Sequence, residues 1–124
     1  MKINKRNRKL LKKLSLLDGK NLVEASLKLT EEVGEVAEAV LSCTKVHGCE
    51  YKTKKPEDIV EEVTDVVIVA LSILHKLKKQ TDNNFDGVYT VEDAFSTSMY
   101  NKLNKWQEKL KTKEQVIVIE GDIK

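Results

Sequence analysis

Apolar residues return at three- and four-residue steps through most of this chain, the spacing that lines one face of an α-helix. Leu22, Leu29, Val33, Val36 and Val40 keep that rhythm over residues 21–43, where Asn21 is placed to act as N-cap. Phe95, Met99, Leu103, Trp106 and Leu110 do so over 91–112 and read as a core stripe. A shorter helix is expected over 5–15, with Leu10, Leu11 and Leu14 on one side and lysines on the other. Residues 57–79 pose a choice, because VVIVALSIL at 66–74 is β-branched and alone would suit a strand. The length of the segment decides for helix, as do Pro56, Glu57 and Asp58 at its start and Lys76, Lys78 and Lys79 at its end. Its apolar residues cover more than half of the circumference, which one partner helix does not bury. The pattern therefore predicts an all-α bundle of about four helices, its core completed by oligomerisation into a homodimer or homotetramer.

Turn signals separate these segments: Asp18-Gly19, the loop 44–56 with Gly48 and Pro56, and the stretch 80–90. The ending, 113–124, holds a short strand-like VIVI run that could equally fray as a tail. A chain of 124 residues with one Pro, five Gly and 5% aromatics fits a single domain over 1–124 and argues against a loop-rich sandwich. The apolar run at 66–74 is too short to span a bilayer, and the basic start lacks a cleavage signal. Two cysteines do not staple a secreted mini-protein, so a cytoplasmic location is expected.

The net charge of +2 conceals an asymmetry. Residues 1–20 carry eight Lys/Arg against Asp18 alone, seven of them in a basic arm at 1–18, whereas residues 21–65 carry eleven acids against five lysines. Within the acidic middle, helical spacing puts Glu31, Glu35 and Glu38 close to one line and turns Glu32 towards the apolar side, among Ala25, Val36 and Ala39. On the following helix Glu62 falls between Val69 and Ile73, Asp65 sits at the edge of the apolar arc, and Glu61 points outward. Acids at the border of two apolar faces repel one another and are costly to bury unpaired. Neighbouring lysines or solvent relieve that cost in most helices. A shared divalent cation explains two such pairs on successive helices more economically, and an all-oxygen set suits Mg²⁺ or Mn²⁺.

Glu31-Glu32-Val33-Gly34-Glu35 resembles the EExxE motif, and Glu62-Val63-Thr64-Asp65 the ExxD motif, of the MazG-like all-α nucleoside triphosphate pyrophosphohydrolases. The strings LKLTEEVGEVAEAV and EDIVEEVTDVVIVAL are similar to that family's two central helices, and the likeness spans roughly residues 20–80. The resemblance implies Mg²⁺-dependent hydrolysis of an NTP or dNTP to the monophosphate and pyrophosphate, as nucleotide-pool house-cleaning. It also implies Glu32, Glu35, Glu62 and Asp65 as metal ligands, with Glu31 orienting or deprotonating the attacking water and Glu35 beside it. Phosphoribosyl-ATP pyrophosphohydrolases form a neighbouring branch with similar carboxylates. No motif fixes the base or sugar preferred.

A triphosphate also asks for cations. Lys102 and Lys105 in YNKLNKW are similar to a basic segment that some relatives turn on phosphates, although a solvated lysine face is the ordinary alternative. Lys52, Lys54 and Lys55 are weaker candidates. Trp106 and Phe85 could contact a base, but Trp106 fits better in the core stripe. Cys43, His47 and Cys49 lack a fourth zinc ligand, since the remaining histidine, His75, falls on the exposed side of its helix. A non-catalytic module whose basic arm binds nucleic acid is the competing function. It ranks lower because residues 21–65 would repel a phosphate backbone. A nucleotide-binding member without turnover is a third reading.

Overall fold

The structure, a computed structural model, describes residues 2–44, 54–81 and 90–112. Four helices account for them: α1 (Lys5–Leu17), α2 (Leu22–Cys43), α3 (Pro56–Gln80) and α4 (Val91–Thr112), with no strand among the described residues. The all-α expectation holds, and 66–74 lies wholly within α3. None of these helices is long and apolar enough to cross a membrane. The 113–124 tail lies outside the described residues, as do His47, Cys49, Lys52 and Phe85.

The helix ends follow from local chemistry. Asn21 caps α2 by accepting from the Glu24 N–H at 2.8 Å, and the Glu24 carboxylate accepts in return from the Asn21 N–H at 3.1 Å. Pro56 opens α3, where the Asp58 carboxylate accepts from the Lys55 N–H at 2.7 Å. Asn4 caps α1 through the Asn7 N–H.

Helices α1, α2 and α3 form one unit, in which α3 packs against both of the others. The direction of α2 against α3 can be read from its contacts. The Lys54 N–H donates to Ser42 Oγ at one end, Glu32 and Glu35 meet Glu62 and Asp65 midway, and Lys76 reaches Asp18 and Lys20 at the other. The two helices are therefore antiparallel, in close approach along the small buried residues Ala25, Ala39 and Ser42.

One expectation is extended here and one is corrected. Lys76, placed with Lys78 and Lys79 at the end of α3, turns inward. It is 8% exposed, and its Nζ donates to the carbonyls of Asp18 and Lys20 at 3.1 and 2.7 Å and pairs with Asp18 Oδ2 at 3.2 Å. The long stem crosses apolar surface and carries the ammonium into the α1–α2 turn, whose free carbonyls it satisfies. His75, expected on the exposed side, is half-buried.

Large apolar side chains remain uncovered. Val33 and Val40 on α2, and the Val60, Val63 and Val67 ridge on α3, are all exposed, with Val60 at 65%. Helix α4 belongs to a second unit, and its stripe does not become core: Phe95, Met99, Leu103 and Trp106 are exposed, Trp106 at 62%. The spacing is helical as read, but the described residues leave this face open.

Candidate metal centre

The register of α2 against α3 brings Glu32, Glu35, Glu62 and Asp65 together, with one carboxylate oxygen from each lying within 4.8 Å of the others. In each helix the pair is three residues apart, so both side chains rise from one face about one turn apart. Glu32 is buried, as its place between Ala25 and Ala39 requires; Glu62 is half-buried and Asp65 exposed.

Among the described residues, one cation meets this group directly. Lys28, one turn before Glu32 on α2, holds Glu32 Oε1 at 2.9 Å and Glu31 Oε1 at 3.3 Å. Those hydrogen bonds, to Glu32 first and then Glu31, raise the proton affinity of Lys28 and keep it charged. Glu32 Oε2 and Glu62 Oε2 are buried without a hydrogen-bond partner. The Glu35 carboxyl is raised above its ordinary value, first by the hydrogen bond it shares with Glu62 and then by the negative charge of Glu32. Four acids, two orphaned oxygens and one lysine thus leave an uncompensated negative charge between the helices.

The donor set suits a hard divalent cation. Oxygens bound to Mg²⁺ at about 2.1 Å lie about 4.2 Å apart across the ion, so a cluster spanning 4.8 Å needs only a small contraction. Glu31 does not join the cluster. It is exposed and tied to Lys28, on the line shared with Glu35 and Glu38. Lys102 and Lys105 are exposed on α4 beside Asn101 and Asn104, within the other unit. Cys43 is a free, half-buried thiol.

A family model, described as the MazG nucleotide pyrophosphohydrolase domain, matches residues 23–110. The chain belongs to this MazG family. The match takes in both acidic helices and α4, and it leaves out α1. No curated protein and no solved structure matches the chain. In this MazG chain the acidic pairs of the two motifs face one another across α2 and α3. Sequence reasoning missed Lys28, although its position four residues before Glu32 on a helix was a usable signal.

Beside the cluster lies a cavity of about 630 Å³ between α1, α3 and the first turns of α2. Leu10, Leu14, Val67, Ile68 and Leu71 give it an apolar lining, and Lys28 stands at its edge. The lysine that holds Glu32 therefore also borders a space within the size range of small-ligand sites.

Proposed function

We propose that this MazG protein hydrolyses a nucleoside or deoxynucleoside triphosphate to its monophosphate and pyrophosphate, using Mg²⁺ or Mn²⁺ held by Glu32, Glu35, Glu62 and Asp65. The observation that carries this reading is the convergence of four carboxylates from two helices, with two buried oxygens unpartnered. A divalent cation bound there would neutralise triphosphate charge and lower the pKa of a coordinated water. Lys28 fixes one oxygen of Glu32 and leaves the other free for the cluster. The same lysine keeps Glu31 alongside, where its second oxygen would accept the proton of the attacking water. Lys102 and Lys105 are the proposed phosphate contacts, and the apolar cavity beyond Lys28 the proposed seat of the nucleoside.

The uncovered Val33, Val40 and Val60–Val63–Val67 surfaces support a homodimer or homotetramer, in which a second copy buries what one chain leaves open. The role is removal of unwanted or surplus nucleotides in the cytoplasm. A screen of common NTPs and dNTPs with Mg²⁺ tests the reading. Pyrophosphate and monophosphate are expected from at least one substrate. Release of orthophosphate alone, or of nothing from any substrate, would reject it.

A further inference from the structure

Two residues of the acidic helices adjoin the carboxylates and the cavity alike. Lys28, one turn before Glu32 on α2, and Thr64, next to Asp65 on α3, both line the cavity and so mark the side of it that meets the metal centre. The buried Ala25, one turn further back along α2, lines it too. Ala25, Lys28 and Glu32 thus follow one another on one face of α2, over about 10 Å of helix. In that order they stand for cavity, cation and metal ligand.

The two carboxylates do not use up the Lys28 ammonium. It has three protons to donate, and Glu32 Oε1 at 2.9 Å and Glu31 Oε1 at 3.3 Å take one each. The lysine side chain stays 38% exposed on the cavity border, so its third proton is within reach of a ligand seated there. An ordinary surface pair at this spacing keeps both partners in water. Here the Glu32 side chain is buried at 8%, and the lysine stands between it and the cavity. Glu32, once shared with a divalent cation through its unpartnered Oε2, offers the ammonium less negative charge, which favours a further oxyanion on Lys28.

We propose that Lys28 is the α-phosphate contact, its third proton binding a non-bridging oxygen of the phosphoryl group that stays on the nucleoside product. The assignment rests on the reading above of the cavity as nucleoside seat and the carboxylates as metal centre. A nucleoside triphosphate runs from nucleoside to α-phosphate to β- and γ-phosphates, and α2 presents cavity, cation and carboxylates in the same order. With both ends seated, the α-phosphate lies at Lys28 and the α–β anhydride comes over the carboxylates. Hydrolysis of that anhydride is what yields monophosphate and pyrophosphate. Lys28 therefore selects which of the two anhydrides is placed for cleavage. An ammonium suits this task as a compact charge whose protons serve oxygens on several sides at once.

The test is isothermal titration calorimetry of the full chain in saturating Mg²⁺, wild type beside Lys28→Gln, with dAMP, dCMP, dGMP and dTMP and separately with inorganic pyrophosphate. Pyrophosphate needs the metal centre and not the α-phosphate contact, so it reports whether fold and metal survive the substitution. The expected result is wild-type binding of at least one monophosphate, weakened about tenfold or more in Lys28→Gln, with pyrophosphate affinity unchanged. Equal weakening of pyrophosphate and monophosphate would show that Lys28 only holds Glu32 in place, and overturns the proposal. Unaltered monophosphate affinity in the variant, or no monophosphate binding by the wild type while pyrophosphate binds, also overturns it. Failure of pyrophosphate to bind the wild type rejects the metal centre itself, and the proposal with it.

Discussion

At the residue scale, Glu35 joins stability to function. In the folded chain its carboxyl is raised above the ordinary 4.5 by the shared hydrogen bond with Glu62, the charge of Glu32 and desolvation. A raised carboxyl contributes stability that is complete below its unfolded value and lost as pH rises through the folded one. The metal-free protein is therefore expected to lose stability as pH climbs from about 4.5 through the raised value of Glu35, and Glu35→Gln to flatten that loss. Urea unfolding of both proteins across this range checks it. Added Mg²⁺ should reverse the sign of the comparison at neutral pH. At a hundred times its dissociation constant it would stabilise the wild type by about 2.7 kcal/mol and the variant by much less. Equal Mg²⁺ stabilisation of the two would contradict Glu35 as a ligand.

The elements show what was legible beforehand and why. Boundaries of α2, α3 and α4 follow directly from Asn21, Pro56 and the apolar period, because caps and periodicity are local chemistry. Glu32 was legible as the inward acid for the same reason: its helix face is set by Ala25 and Ala39 on its own helix. Lys76 was not. Its role depends on the α1–α2 turn more than fifty residues away, and a lysine in the last turns of a helix reads locally as a dipole partner. The ammonium ties α3 to that turn with two carbonyl hydrogen bonds and the Asp18 carboxylate, whose proton affinity it lowers. Lys76→Met keeps the stem and leaves those acceptors unpaired, at an expected cost of about 2–3 kcal/mol. Equilibrium urea unfolding measures it, and a loss below about 0.5 kcal/mol would show that the clamp is only a surface pair.

At the scale of the whole molecule, the excess apolar arc of α3 was legible, and its partner was not. Among the described residues Val60, Val63 and Val67 are exposed, as are Phe95, Met99, Leu103 and Trp106 of α4, since periodicity states that a face is apolar and not what meets it. The proposed assembly predicts that Val63→Asp, which puts a charge in the middle of the α3 ridge, shifts the protein to monomer in light scattering coupled to size exclusion. A wild-type monomer at micromolar concentration, or an unaltered oligomer in the variant, would contradict it.

Mg²⁺-dependent pyrophosphate release by the wild type beside Glu62→Gln tests the central claim most directly. Glu62 sits in the seam with one oxygen unpartnered, so the amide should fold at least as well and remove only a charge from the cluster. A ligand carboxylate worth about 3 kcal/mol in the transition state predicts a loss of more than about a hundredfold in turnover. Undiminished pyrophosphate release by a folded Glu62→Gln protein would contradict the four-carboxylate centre.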